Sequence, residues 1–187
     1  MNIFYLDKDP KICAEMHCDK HVCKMIIEYA QLMSTAHRVI DGEHYEGRTA
    51  NNRRIARWKH PLENHEKLLY KASHINHPSN LWVRESQNHY NWLYEMWEHL
   101  CYEYTHRYGK IHMTDLKLRG MLASSPMQID VKPFVDPYLA MPNDVKQTNV
   151  VEAYKNYYIN YKKDFAKWTN RPIPEFMKFE THAGFAS

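Results

Sequence analysis

The chain has 187 residues, a length that suits one domain with a complete core and is short for two. Aromatic residues at 13% and thirteen histidines are high for a globular protein, whereas 44% hydrophobic and 25% charged residues are ordinary. No apolar run approaches the ~20 residues that a membrane span needs, and the N-terminus lacks a secretion signal. We therefore expect a cytoplasmic protein outside membranes, and the net charge of +3 alone does not indicate a nucleic-acid binder.

The first predicted helix begins at Asp9-Pro10 and runs to about Ile40, where Asp41-Gly42 can end it. Apolar residues recur along it at three- and four-residue steps and form a buried stripe. Polar residues recur in the opposite phase and so lie on one face of the same helix, which we call the polar file: His17, His21, Lys24, Glu28, Gln31, Thr35 and Arg38. A solvated face explains the file. However, its residue types also suit hydrogen bonding and proton transfer.

A basic segment follows the first helix and contains no acidic residue between Glu46 and Glu63. Its members are Arg48, Arg53, Arg54, Arg57, Trp58 and Lys59. Arginines interleaved with an aromatic ring suit a phosphate backbone next to exposed bases. An ordinary basic helix on the surface explains the segment equally well.

Three further helices are predicted in the middle of the chain. One restarts at Pro61 and ends near Ser73, and a long one runs from Pro78 to Gly109 with aromatic residues at helical spacing. A short helix covers residues 115–122. The aromatic positions of the long helix indicate core more strongly than a binding site.

The C-terminal part contains a strap, a last helix and a tail. Residues 124–148 hold four prolines without a clear period, which predicts an ordered Pro-rich strap. Asn149 and Glu152 resemble a capping box for the last helix, and residues 171–187 form a loosely attached tail. With no recognisable strand pair, the predicted fold is an all-α, compact single-domain helical bundle over residues 1–170, with long first and central helices.

Two constellations could carry chemistry, because Gly-rich phosphate loops and the common hydrolase and metalloprotease motifs are absent. In the first, Glu28 is an acid/base surrounded by His21, Lys24 and Gln31, beside the basic segment. In the second, a metal is held by His17 and His21 at i and i+4, Glu28, and either His74 or His77.

The segment CDKHVCKMIIEYAQL, residues 18–32, resembles the first helix of the pyrimidine-dimer DNA glycosylase (endonuclease V) family and its bacterial relatives. Five of its residues fall in register with the turn that carries the family's catalytic Glu: Asp19, His21, Lys24, Glu28 and Gln31. Further blocks are similar in the same order, namely Asn76-His77-Pro78 with Trp82, the helix ending in Arg107 and Gly109, and the Tyr-rich last helix with Trp168. Together these blocks cover about half of the chain.

The resemblance implies a compact all-α protein that binds DNA, flips a nucleotide and removes a damaged base. In the family an N-terminal amine attacks the sugar carbon, and the resulting Schiff base permits strand cleavage. Glu28 would match the Glu that handles protons and stabilises the positive sugar. The family exposes the amine of a small residue after Met removal, whereas here Asn2 follows Met1. The amine is therefore that of Met1, or Glu28 activates water instead.

The leading hypothesis is thus a DNA N-glycosylase, with AP-lyase activity if the amine takes part, that binds DNA as a monomer without cofactor or metal. The candidate catalytic residues are Glu28, Met1, His21 and Lys24. The candidate substrate-binding residues are Gln31, Asn76, His77, Trp82, Arg48, Arg53, Arg54, Arg57 and Trp58. A helical metalloprotein and a non-catalytic nucleic-acid-binding accessory protein are the alternatives. If Glu28 is functional, its face should turn toward the loop at residues 76–78, with the basic segment bordering the same opening.

Overall fold

A computed structural model describes residues 2–178 and shows a mainly helical fold with one small β-hairpin. In chain order, the helices are α1 (Pro10–Met16), α2 (Asp19–Asp41), α3 (Glu63–Leu68), α4 (Pro78–Glu85), α5 (Gln87–Tyr108), α6 (Met113–Leu122) and α7 (Val150–Tyr161). The strands are β1 (Glu43–Arg48) and β2 (Arg54–Lys59), and short 3-10 turns occur at Asn143–Val145 and Glu175–Met177.

The predicted first helix is two helices, because the chain leaves helical geometry between Met16 and Asp19. His17 and Cys18 both have extended backbone angles. The guanidinium of Arg107, on α5, donates to the carbonyl oxygens of Glu15 and His17 and so satisfies groups that the end of α1 leaves unpaired. The predicted start is confirmed, since the Asp9 side chain accepts from the N–H of Ile12.

The predicted long central helix is also divided, between α4 and α5, at Ser86. Its hydroxyl accepts from the N–H of Asn88 as the cap of α5 and donates to the carbonyl oxygen of Lys132. The end of α5 is as predicted, because Gly109 adopts a left-handed conformation with φ of 67°. The Asn149 side chain likewise caps α7 by accepting from the N–H of Glu152.

The basic segment is not a helix but part of an antiparallel hairpin, from Arg48 at the end of β1 through the turn and β2, so the prediction without strands was wrong here. The strands pair from Glu43 opposite Lys59 to Arg48 opposite Arg54. Asn52 takes the left-handed conformation in the turn, with φ of 58°. Most hairpin residues are exposed, so neither strand has the apolar alternation that predicts strands from sequence.

The core lies around α2 and α5, against which α1, α4 and α6 pack. The indole N–H of Trp97 on α5 donates to the carbonyl oxygen of Ile26 on α2, 2.8 Å away. Much of the high aromatic content is buried here, in Tyr5, Tyr29, Trp82, Tyr90, Trp97, Tyr154 and Tyr158. The phenol and indole groups therefore need partners inside the protein, and two polar-file residues, His17 and His21, provide them for Tyr29 and Tyr158.

The Pro-rich strap crosses α4 and α5 and is held by hydrogen bonds. Trp82 donates to the carbonyl oxygen of Val135, whose own N–H donates to His89. The predicted C-terminal tail begins at residue 171, and its described part, residues 171–178, contacts the rest of the protein. There, Arg171 bonds the Glu103 carboxylate and the Met177 side chain is buried. Residues 179–187 lie outside the described part of the chain.

Candidate functional site

The polar file contains residues in very different environments, and its first member is a core residue. His17 is fully buried, with Nδ1 2.8 Å from the carbonyl oxygen of Cys13 and Nε2 2.8 Å from the hydroxyl of Tyr29. Burial lowers the pKa of His17 to about 4, and the charge of Arg107 adds to this shift. Both ring nitrogens have protein partners, so His17 is a structural residue and offers no lone pair to a metal.

His21 is also enclosed. The ring of Phe4 stacks on it with a centroid distance of 4.2 Å, and Nδ1 lies 2.5 Å from the hydroxyl of Tyr158. Burial lowers the pKa of His21 to about 2. The imidazole is therefore neutral and shielded, and this placement does not suit the predicted role in catalysis.

Lys24, Glu28 and Gln31 form the accessible part of the file. The ammonium of Lys24 lies 3.2 Å from the Glu28 carboxylate, and 64% of the Lys24 side chain is exposed. By contrast, only 18% of the Glu28 side chain is exposed, and Gln31 is half-buried. Glu28 is thus a mostly covered carboxylate at the edge of solvent, rather than part of a freely solvated helix face.

A loop before α4 lies against this part of α2 and has its backbone held from two sides. The Asn80 amide donates to the carbonyl oxygens of Ser73 and His74, at 3.0 and 2.9 Å, and Arg84 donates to that of Ile75 at 2.6 Å. His74 adopts φ of 48°, a left-handed conformation that costs energy for a non-glycine residue. Such strain persists where the surroundings fix the backbone, and it is common at binding sites.

The expected approach of this loop to α2 is found. The N–H of Ser73 donates to the hydroxyl of Thr35, and His77 begins α4 as its cap. Burial lowers the pKa of His77, and the negative charge of Glu28 opposes that shift. Glu28 and His77 are therefore close enough to interact electrostatically, and Asn76 is exposed beside them.

Trp82, another predicted substrate contact, lies in the core. It is fully buried, and its ring stacks on His89 at a centroid distance of 4.5 Å with the planes almost parallel. With its N–H bonded to Val135, neither its edge nor its face is open to a substrate. This placement differs from the predicted one because helical spacing alone does not distinguish an aromatic residue in the core from one at a binding site.

Met1, the predicted source of the amine, lies outside the described residues. The described chain starts at Asn2 and enters the core at once, because Ile3 is fully buried. The N–H of Phe4 donates to the Tyr29 hydroxyl at 3.1 Å, which fixes the start of the chain to the same helix that carries Glu28.

The β-hairpin carries the predicted basic residues at the far end of α2. Arg48, Arg53 and Arg54 are exposed, while Arg57 and Trp58 are half-buried. Arg38 on α2 donates to the carbonyl oxygen of Trp58. Because Arg38 follows Glu28 by ten residues, this attachment lies about 15 Å along the helix from Glu28. The attachment of the hairpin to α2 therefore lies about three turns from Glu28, whereas the basic segment had been expected to border the same opening as this carboxylate.

Two short-range features secure the hairpin to α2. A Cβ atom at Gly42 would lie 2.3 Å from the carbonyl oxygen of Arg38, so only glycine fits where the chain leaves the helix. Arg38 is buried and also donates to the Glu66 carboxylate and to the carbonyl oxygens of Glu66, Leu69 and Tyr70. This last member of the polar file is a structural residue.

The predicted metal ligands do not gather into one site. Within residues 2–178, the group of His, Cys, Asp and Glu side chains close enough to share an ion is His37, Asp41 and His60. These residues were not singled out from the sequence. The available signal was the i, i+4 spacing of His37 and Asp41, which thirteen histidines made easy to overlook.

No family model, curated protein or solved structure matches this chain. Across the described residues, no helix combines the length and apolar character that crossing a membrane requires.

Proposed function

We propose that the protein is a DNA glycosylase that removes a damaged or modified base from a flipped nucleotide, with Glu28 as its acid/base. The observation that carries the proposal is the position of Glu28: a mostly covered carboxylate on α2, close enough to His77 of a backbone-clamped loop to influence the pKa of that histidine. The resemblance of residues 18–32 to the pyrimidine-dimer DNA glycosylase family supports the same residue.

The chemistry of base removal suits such a carboxylate. Breaking the bond between sugar and base builds positive charge on the sugar, which a nearby carboxylate stabilises. A carboxylate such as Glu28 can also accept a proton from an attacking water or shuttle protons during imine formation with an amine. Lys24, 3.2 Å away, neutralises the carboxylate before substrate arrives and offers a positive charge to a DNA phosphate.

DNA binding is supported by the exposed arginines of the hairpin. DNA carries one phosphate charge per ~1.7 Å of helix axis, so a duplex at Glu28 extends easily over the ~15 Å to the hairpin attachment. Phosphate contacts there would supply affinity while the target nucleotide reaches Glu28. Flipping costs a few kcal/mol, which backbone contacts of this kind offset.

A non-catalytic DNA-binding protein is the second candidate. The exposure of Arg48, Arg53 and Arg54 favours it, because this surface needs no active site in order to bind DNA. It leaves unexplained why a carboxylate would be covered beside a strained loop.

Base release from end-labelled duplexes separates the two candidates. We expect the protein to release the base from at least one member of a panel of ultraviolet-damaged, oxidised and modified pyrimidine duplexes. Borohydride added during the reaction, and separately with abasic DNA, shows whether a protein amine forms an imine. Covalent trapping at Met1 identifies the amine route, and release without trapping identifies the water route. Salt-sensitive binding without release from any duplex would instead establish the DNA-binding protein.

A further inference from the structure

A second group of ionisable residues lies at the C-terminal end of α2, about 15 Å from Glu28. His37 and Asp41 are one turn apart on α2, His60 follows β2, and His65 lies on α3. One ligand atom from each of His37, Asp41 and His60 lies within 4.8 Å of the others, and all three residues are buried. We refer to these residues with His65 as the histidine cluster. It lines a cavity of about 230 Å³.

The three imidazoles of the cluster lie at the separations that ligands of one ion require. Their ring centroids are 4.7 Å apart for His60 and His65, 5.6 Å for His37 and His65, and 6.1 Å for His37 and His60. Nitrogens about 2.1 Å from a tetrahedral metal place three imidazole centroids about 5.3 Å apart. The observed separations scatter around this value. The rings of His60 and His65 are stacked with 15° between their planes, so the His65 ring has to turn toward the group formed by His37, Asp41 and His60 before all the nitrogens can reach one ion.

Two nitrogens of the cluster lack a protein partner. Nε2 of His60 and Nδ1 of His65 are buried, and neither makes a hydrogen bond with the described residues. The His60 side chain is only 1% exposed, and its Nε2 lies 4.0 Å from Asp41, beyond hydrogen-bonding distance. Buried polar atoms without partners are rare and often indicate an ion. This distinguishes the cluster from His17, whose ring nitrogens are both bonded within the protein.

The surroundings hold the ligands as the second shell of a metal site does. The Tyr90 hydroxyl lies 2.9 Å from Nε2 of His37 and donates to the carbonyl oxygen of Leu122. The Asp41 carboxylate accepts from the backbone N–H groups of Met127 and Gln128, at 2.8 and 3.0 Å. Such groups fix the orientation of ligating imidazoles and carboxylates.

The cluster is also electrostatically suited to a cation. Imidazole nitrogens are ligands of transition metals, and Asp41 supplies negative charge. Nδ1 of His60 accepts from the N–H of Leu62 at 3.1 Å, so Nε2 carries the proton of the neutral ring, and a metal that binds at Nε2 releases this proton.

We propose that His37, Asp41, His60 and His65 bind a divalent transition metal of the zinc type. Nitrogen and carboxylate ligands suit Zn²⁺ and its neighbours in the first transition row, and not Ca²⁺ or Mg²⁺, which prefer oxygen. Four protein ligands make it a structural site.

The ligands come from three separate elements, which indicates what the metal does. It joins α2 to the chain leaving β2 and to α3, and through Asp41 it reaches the strap at residues 127–128. A two-stranded hairpin is marginally stable by itself. The metal therefore fixes the base of the hairpin, and with it the surface that carries Arg53 and Arg54.

Cobalt binding to untagged, chelator-treated protein tests the site directly. We expect one equivalent of Co²⁺ to bind and give the intense visible absorption of a four-coordinate complex, which Zn²⁺ then abolishes by displacement. Adding one equivalent of Zn²⁺ should also raise the melting temperature. A wild-type protein that binds less than about a tenth of an equivalent, or that gives only the weak absorption of six-coordinate Co²⁺, overturns the proposal.

Matched double variants locate the metal. The pair His60→Asn and His65→Asn should abolish both the absorption and the zinc-dependent rise in melting temperature. The pair His44→Asn and His99→Asn removes two histidines elsewhere and should leave both unchanged. Retention of the signal in the first pair, or equal loss in both, overturns the assignment.

Zinc-induced shifts of the imidazole signals in nuclear magnetic resonance spectra of the wild type give a readout that needs no variant. Signals of His37, His60 and His65 should shift, while those of His17 and His21 should not; shifts confined to other histidines contradict the proposal. Metal binding is measured without DNA, so its outcome is independent of the glycosylase proposal.

Discussion

The polar file of α2 divides into an engaged group and an open group, although the sequence spacing is the same in both. In the engaged group, His17, His21 and Arg38 are buried and bonded to backbone or tyrosine oxygens. In the open group, Lys24 reaches solvent and Glu28 is mostly covered but still in contact with solvent, near the loop at residues 73–77. Helical spacing therefore identifies which residues share one face of a helix. Contacts with other elements decide whether a residue on that face stabilises the fold or is available for chemistry.

The largest effect on stability is expected at Arg38, in the engaged group. Arg38→Ala removes the cation from a carboxylate and leaves several carbonyl oxygens without their donor. The Glu66 carboxylate is 35% exposed and can turn to water, but each buried carbonyl oxygen left without its donor costs about 1–3 kcal/mol of the free energy of unfolding. Urea denaturation measures the loss. Arg54→Ala, at a side chain that is 74% exposed, serves as the control and should change stability by less than about 0.5 kcal/mol.

The next largest effect is expected on the stability of the protein at acidic pH, and it depends on His17. An unfolded histidine takes up a proton near pH 6.5, whereas His17 in the folded protein stays neutral down to about pH 4. Between these values the unfolded state binds more protons, so the free energy of unfolding falls as pH falls, by up to about 3 kcal/mol in total. His17→Gln should reduce the slope of stability against pH within this window. Equal slopes in the variant and the wild type would contradict the neutral buried imidazole, and His99→Gln is the control.

A smaller effect is expected on DNA affinity when arginines of the hairpin are replaced. Replacing Arg53, Arg54 and Arg57 by Gln should weaken duplex binding about tenfold or more at moderate salt. It should also flatten the dependence of log affinity on log salt by up to about one unit per lost contact. The control replaces Lys11, Lys110 and Lys146 by Gln, which removes equal charge elsewhere on the surface. Equal effects of both triple variants would show that net charge, and not the hairpin, determines binding.

The smallest effect is expected for Lys24→Gln, in the open group. Because the Lys24 side chain is 64% exposed, its ion pair with Glu28 is largely screened by solvent and contributes about 0–1 kcal/mol, so the free energy of unfolding should stay within about 0.5 kcal/mol of the wild type. The rate of base release should fall less than tenfold if Lys24 only assists Glu28. A loss as large as that of a Glu28 variant would give Lys24 a direct role in the reaction.

The helices were predictable where local signals act alone. Asp9-Pro10, Gly109 and the Asn149 cap mark ends that the structure confirms, because capping depends on residues within one turn. The breaks at His17 and Ser86 depend on Arg107 and Lys132, which are distant in sequence. The hairpin was not predictable from the sequence, because its residues are mostly exposed and so lack apolar alternation. Its attachment to α2 depends instead on Arg38 and Gly42.

The candidate site was likewise predictable only where short sequence motifs indicate it. Glu28 and His77 could be paired from their motifs, whereas the enclosure of His21 depends on Phe4 and Tyr158, and that of Trp82 on His89. The histidine cluster combines residues from three elements, so only tertiary structure brings it together. Spacing along one helix contains no information about partners contributed by another.

Single-turnover base release by Glu28→Gln tests the central claim most directly. The substitution keeps the shape of the side chain but removes its charge and its capacity to accept a proton. We expect the rate to fall by about 10²-fold or more, while the melting temperature and DNA affinity stay near those of the wild type. Glu95→Gln, at an exposed position on α5, is the control and should retain the wild-type rate. A Glu28→Gln protein that releases the base at the wild-type rate would contradict this role and show that Glu28 is a structural residue of α2.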